Sequence, residues 1–370
     1  MVKRKIKRIA VNTGGGDAPG LNAVIQSVAI AAANRGWACF GIRDGFNGIL
    51  FPERYADSGV MRLTRDRVRG IGHLGGTILG TTNKGNPLHF PVTLPDGTEK
   101  EIDRSNEILT YFATHEMDAL VSIGGDGSLT IANALHKKGL IVVGVPKTID
   151  NDLDKTFTTF GFDTAVGFAT ECVDRLHSTA QSHQRVMVVE VMGRYAGWIA
   201  LHAGIAGNAH VILMPEIGFD LDVVAEKVRQ RDEDGRQYSI VLVAEGALPK
   251  DGQREIIARA EIGHDERLGG IGDRVAQGIA ERTGKETRVV VLGHLLRGGS
   301  PTSFDRLSAL RFGAAAVRAL DEGHTGVMVT LGLNGVEHVA LEEVAGHMRG
   351  VPLNCDTLQT GRDLGICFGD

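Results

Sequence analysis

Residues 9–33 read IAVNTGGGDAPGLNAVIQSVAIAAA. The short apolar run at 9–11 predicts a strand, and the stretch 21–33 predicts the helix that follows it. Between them lies a glycine-rich turn, residues 13–22, that joins strand to helix. A strand feeding a helix in this way is the repeating unit of an α/β fold. The same rhythm recurs downstream. Further strands are expected at 119–123, 140–145, 185–191, 211–214, 240–243 and 289–292, with helices at 128–136, 165–180, 221–230 and 274–281. The strand runs are rich in Val and Ile without alternation, which fits mostly parallel sheets covered on both faces. At 370 residues the chain exceeds the ~250–300 residues at which single cores stop growing. The expected architecture is α/β: two three-layer α/β/α lobes, tightly associated, with the active site in the cleft between them.

Composition narrows the function. Apolar residues make up 42% and charged residues 23%, and the net charge is −5. That balance excludes a disordered chain and leaves no basic footprint for nucleic acid or an anionic membrane. Cys39, Cys172, Cys355 and Cys367 have no metal-ligand spacing and suit a reducing, cytoplasmic location. The basic start is not followed by an apolar segment, so no signal peptide is expected. No apolar stretch reaches the ~18–20 residues of a membrane span. Glycine is the outlier, 50 of 370, against a usual share of ~7%.

Ligands of open parallel sheets bind beyond the carboxyl ends of the strands, and four strand ends here carry unusual sequence. The turn at 13–22 can bring backbone N–H groups to a phosphate, or serve as a plain tight turn. It is neither a Walker A loop nor a GxGxxG dinucleotide fingerprint. At Gly124-Gly125-Asp126-Gly127-Ser128 the aspartate can cap a helix or hold Mg²⁺ beside a polyphosphate. In Pro146-Lys147-Thr148-Ile149-Asp150-Asn151-Asp152 one carboxylate can act as a base while another faces a metal. The alternative is a polar loop with an Asx turn. Basic residues mark the last group: His183-Gln184-Arg185, Met192-Gly193-Arg194, Arg288 and His294-Leu295-Leu296-Arg297. Arginine suits bidentate phosphate recognition, although each one alone reads equally as a surface ion pair. Glu245 can accept sugar hydroxyls or be an ordinary loop carboxylate. Together these residues describe a phosphoryl-transfer site of non-Walker type.

The ordered set GGGDAPGLNAVI, GGDGS, PKTIDND, MGRYAGWIA and LGHLLRGGSPTSFDR resembles the 6-phosphofructokinase family and spans residues 13–306. The ending, residues 362–367, is similar to the branch that mixes ATP- and pyrophosphate-dependent members. The resemblance implies transfer of a phosphoryl group to the 1-hydroxyl of fructose 6-phosphate, a glycolytic step, with Mg²⁺ as cofactor. It implies a donor-binding lobe of residues 1–160 plus about 301–345, a fructose 6-phosphate lobe of 161–300, and a C-terminal extension, 346–370. Gly16, Gly125, Asp126, Gly127 and Ser128 would meet the donor, with Asp126 at Mg²⁺. Asp150 would be the base, supported by Thr148 and Asp152, with Ile149 alongside. Met192, Gly193 and Arg194 would lie at the sugar and the transferring phosphoryl. Arg185, Arg288, His294, Leu295, Leu296 and Arg297 would bind fructose 6-phosphate, and Glu245 its sugar. Arg185 and Arg288 would reach in from a neighbouring subunit, so a homodimer or homotetramer with shared active sites is expected.

Several positions depart from the family pattern. Asn83 stands where an arginine often bridges the two phosphates, and Lys84 is the nearest replacement. Gln26 and Ile30 stand where effector-binding arginines would be, and Leu296 replaces a glutamine. Donor choice turns on Gly127 and Lys147. Pyrophosphate users in the family carry aspartate at the first position and lysine at the second. Glycine at 127 leaves room for a nucleotide's inner phosphate, so ATP is the expected donor and pyrophosphate the alternative. Two other readings are weighed. A silent sugar-phosphate-binding regulatory subunit is disfavoured because Asp126, Asp150 and Asp152 are all present. A lipid or NAD kinase would lack the segments at 146–152 and 296–301.

Overall fold

The computed structural model describes residues 6–250, 252, 256–258 and 267–370. In chain order its strands begin with β1 (Arg8–Thr13), β2 (Ala38–Ile42), β3 (Val60–Arg62), β4 (Phe90–Thr93) and β5 (Glu99–Ile102). There follow β6 (Ala119–Gly124), β7 (Val142–Pro146), β8 (Val186–Val191), β9 (Val211–Leu213) and β10 (Ser239–Ala244). The last are β11 (Ile256–Ala258), β12 (Arg267–Leu268), β13 (Thr287–Val291), β14 (Val327–Gly332) and β15 (Gly335–Ala340). Seven of them form one sheet in the order β15-β14-β7-β6-β1-β2-β3. Its edge pairs, β2–β3 and β14–β15, are antiparallel, and its interior pairs are parallel. Four more form an all-parallel sheet, β13-β8-β10-β9. The expected α/β class with mostly parallel sheets is borne out.

Alternation along single strands builds the layers. Ile9 and Val11 pack against the helices Leu21–Asn34 and Ser303–Glu322, while Ala10 between them faces the helices Ser105–Thr114 and Asp126–Lys137. In the smaller sheet Met187, Val189 and Val191 face the helices Phe162–His183 and Trp198–Ala206. Val186 and Val188 face Leu221–Glu233 and Ile271–Thr283. Each sheet is thus buried on both sides, as its unbroken apolar strands require. Among the described residues no helix is long and apolar enough to cross a membrane.

The chain passes from the larger sheet to the smaller through the helix Phe162–His183 and returns through Ser303–Glu322. Their N-termini are clamped together. The Asp305 carboxylate, fully buried, accepts from both the backbone N–H (2.8 Å) and the hydroxyl (2.6 Å) of Thr164. The Thr302 hydroxyl donates to Asp163 (2.6 Å). This joint sets the two rows of strand ends against each other.

Candidate active site

The glycine turn after β1 is tied to two neighbours. Gly14 N–H donates to the Ile123 carbonyl at the end of β6 (3.0 Å), and Gly15 N–H donates to the Thr82 carbonyl (3.0 Å). The Thr81 hydroxyl returns a bond to the Gly15 carbonyl (2.6 Å). Lys84, exposed, is thereby held next to the turn. Ser128 closes the other side: a side chain at Gly14 would begin 2.5 Å from its Oγ.

The helix Asp126–Lys137 starts directly at the end of β6, with Gly125 as a cap that makes no side-chain bond. Its first N–H groups lack intrahelical partners and carry the positive end of the helix dipole. Asp126 is the first helical residue and not the cap. Its Oδ1 accepts from the backbone N–H of Gly346 (2.6 Å). Beside it Gly127 is exposed, and no described heavy atom lies within 4 Å of where its side chain would begin.

β7 delivers the acidic loop. Asp150 N–H donates to the Thr148 hydroxyl oxygen (3.1 Å), and Asp150 Oδ1 is sealed from water with no hydrogen-bond partner. Burial, then the neighbouring Asp152 charge, push its carboxyl up to about 7. Asp152 is also raised, by burial, against a bond from the Thr148 side chain. Lys147 is buried and its ammonium donates to the Gly16 carbonyl. Burial and the nearby Arg297 guanidinium lower it to about 8.

The smaller sheet supplies the facing wall. Gly193, at φ 143°, turns the chain after β8 so that its carbonyl accepts from Gly246 N–H (3.1 Å). Arg194 and Glu245 are thus placed at adjacent strand ends. Glu245 is raised by burial and eased by the Arg194 charge. Met192 packs partly buried on the core. Arg297 reaches across the cleft: Nη1 donates to the Asp17 carbonyl (3.1 Å), and a side chain at Gly16 would begin 2.7 Å from it. Its charge is felt at Lys147, Asp150 and Glu245 alike.

Not every expected residue faces this chain's own Asp150. Leu296 is 1% exposed and Ile149 fully buried, so both side chains are core packing. Leu295 and His294 are exposed. Arg185 and Arg288 stand at the starts of β8 and β13, the ends opposite to Met192 and His294. A six-residue strand puts about 17–20 Å between those ends, so they do not join this chain's own Asp150. Glu286 holds the two arginines together, bonded to Arg288 and 3.3 Å from Arg185. Glu286 and the Gly346 contact carried no local sequence signal; Asp305 falls within the LGHLLRGGSPTSFDR stretch, but nothing local marks Thr164 as its partner.

Mg²⁺ is usually held by one or two carboxylates together with substrate phosphates. Among the described residues no group of three or more His, Cys, Asp or Glu side chains could hold a metal on its own; Asp126, at a helix start, is a single carboxylate of the kind that meets Mg²⁺ together with phosphates.

A family model described as phosphofructokinase matches residues 8–320. The chain belongs to the phosphofructokinase family. An ATP-dependent 6-phosphofructokinase of Chloroflexus aurantiacus is 51% identical over 368 residues, 99% of each chain. A pyrophosphate–fructose 6-phosphate 1-phosphotransferase of Amycolatopsis mediterranei is 48% identical over 350 residues, 94% of this chain and 96% of its own. Among solved structures, the phosphofructokinase of Saccharomyces cerevisiae superimposes with a TM-score of 0.75 at 31% identity, covering 91% of this chain and 45% of that one. The motif-based assignment to phosphofructokinases is therefore borne out, and relatives named for both donors lie near the chain.

The pair Asp150–Asp152 gives this phosphofructokinase a measurable pH signature. With Asp150 as the base that the family resemblance implies, kcat/KM should rise with pH to a midpoint near 7 that belongs to the pair. Stability should move the opposite way. A carboxyl raised from its ordinary range to about 7 binds protons more tightly folded than unfolded, so its contribution falls as pH climbs through that window. Asp150→Asn should therefore stabilise the protein at pH 8 by about 1–3 kcal/mol, with the gain shrinking toward pH 4. Thermal melts of both proteins across that range check it; a constant difference would refute it.

Proposed function

We propose that this chain is a cytoplasmic, Mg²⁺-using 6-phosphofructokinase that transfers the terminal phosphoryl group of ATP to the 1-hydroxyl of fructose 6-phosphate, giving fructose 1,6-bisphosphate in glycolysis. The observation that carries the chemistry is Asp150: a carboxylate oxygen without a partner, between donor glycines on one side and Arg194, Glu245 and Arg297 on the other. The sugar hydroxyl gives its proton to Asp150 as its oxygen bonds to phosphorus, and the bond from phosphorus to the bridging oxygen of ATP breaks. Gly14 to Gly16 and the start of the helix Asp126–Lys137 cradle the donor phosphates. Arg297, and Lys147 beneath the turn, offset their charge. Glu245 orients the sugar. Bound with the nucleotide, Mg²⁺ would be held by Asp126 and would neutralise charge on the donor phosphates.

ATP is favoured over pyrophosphate by two observations. The space at Gly127 is open. The Lys147 ammonium is buried on the Gly16 carbonyl, so it is not presented to a second phosphate in that space. An aldolase-coupled assay with fructose 6-phosphate tests the reading: turnover is expected with ATP and little with pyrophosphate. No turnover with either donor would support the silent sugar-phosphate-binding subunit instead.

The remote Arg185 and Arg288 are proposed to bind the 6-phosphate at a neighbour's site in a homo-oligomer. Mixing inactive Arg288→Ala with inactive Asp150→Ser subunits should then restore part of the activity, because some hybrid sites contain both native residues. No rescue after verified subunit exchange would contradict sharing.

A further inference from the structure

The segment 346–351 lies outside the matched family region and crosses from one lobe to the other. Its first N–H bonds Asp126, and Met348 bridges to Leu153. Its last N–H, that of Val351, donates to Glu216 (2.7 Å) in the smaller lobe. Arg349 lies in the middle. Its own N–H donates to the Asp152 carbonyl (2.7 Å). Its guanidinium donates through Nη1 to the Thr156 carbonyl (2.8 Å) and through Nη2 to the Asn151 carbonyl (3.0 Å). Trp198 lies 5.1 Å beneath the guanidinium and donates from Nε1 to the Arg349 carbonyl (3.2 Å).

Asn151 follows Asp150 directly and sits at φ 52°. A non-glycine residue keeps that left-handed conformation only where its surroundings fix it. Two contacts do so. Thr159 N–H donates to Asn151 Oδ1 (3.1 Å), and Arg349 holds the Asn151 carbonyl. That carbonyl lies in the peptide joining Asn151 to Asp152, so the bond fixes the loop backbone immediately after Asp150. We infer that Arg349 is a positioning residue for Asp150, its planar fork locking the carbonyls of Asn151 and Thr156 so that the base is held at the reacting hydroxyl. A flexible ammonium cannot span two carbonyls in one fixed plane as a guanidinium does.

This inference rests on Asp150 as the base, and the test separates the two. A misplacement of ~1 Å can cost about 10²-fold in rate, so Arg349→Met should lower kcat by about 30–100-fold. KM for ATP and for fructose 6-phosphate should stay within about 3-fold, because no donor or sugar contact is removed. Arg349→Lys, which keeps the charge and stem, should lose about 10-fold. In an Asp150→Ser background either substitution should remove less than about a further 3-fold, since the group it positions is gone. Wild-type kcat in Arg349→Met, or the same loss in both backgrounds, would overturn the inference. Should Arg349→Met fail to fold, Arg349→Lys in the two backgrounds decides by the same criterion. Wild-type turnover in Asp150→Ser would instead remove the base assignment, and this inference with it.

Discussion

Asp150→Ser is expected to lower kcat by about 10²–10⁴-fold, the usual worth of general base catalysis. The serine hydroxyl fits the space but does not accept a proton at neutral pH. The residue has few structural duties to confuse the result, since its Oδ1 makes no hydrogen bond. Fructose 6-phosphate binding should change far less, because Glu245 and Arg297 remain. The loss therefore falls on kcat rather than KM, the pattern of an interaction made in the transition state. The variant should also lose the rise of kcat/KM near pH 7. Near-wild-type turnover in folded Asp150→Ser would remove Asp150 from the mechanism.

Gly127→Asp should cut kcat/KM for ATP by at least ~10²-fold, equivalent to roughly 2.7 kcal/mol of transition-state stabilisation. An aspartate would fill the open space beside Gly127 and set bulk and a negative charge against the inner phosphates of ATP. The backbone there is helical and tolerates the side chain, so folding should survive. Pyrophosphate has no nucleotide to exclude. The variant should gain measurable use of it if Lys147 can leave the Gly16 carbonyl. Steady-state kinetics of both proteins with both donors check this. An unchanged ATP efficiency in Gly127→Asp would show that the inner phosphates lie elsewhere.

What the sequence made legible was local. The turns at 13–22, 124–128 and 146–152 announce themselves because glycine and aspartate follow unbroken apolar strands, and the structure brings all three to one side of the larger sheet. Element ends shifted by a residue or more: the expected helix 128–136 begins at Asp126, since the Gly125 junction leaves no room for a separate turn. Leu296 and Ile149 were legible as neighbours of site residues, but burial decided that their side chains face the core. Contacts between distant segments were not legible. Glu286 matters because two parallel strands start side by side. Asp305 matters because two helices meet at their N-termini. Arg349 matters because a segment 198 positions beyond Asn151 folds back over the acidic loop.

The most direct measurement is a donor competition followed by ³¹P NMR, with fructose 6-phosphate, Mg²⁺ and equal concentrations of ATP and pyrophosphate. The account predicts that ADP signals and a sugar 1-phosphate resonance grow together while the pyrophosphate signal stays constant. Loss of pyrophosphate with ATP intact would contradict it, as would a new phosphate at any position other than the 1-hydroxyl.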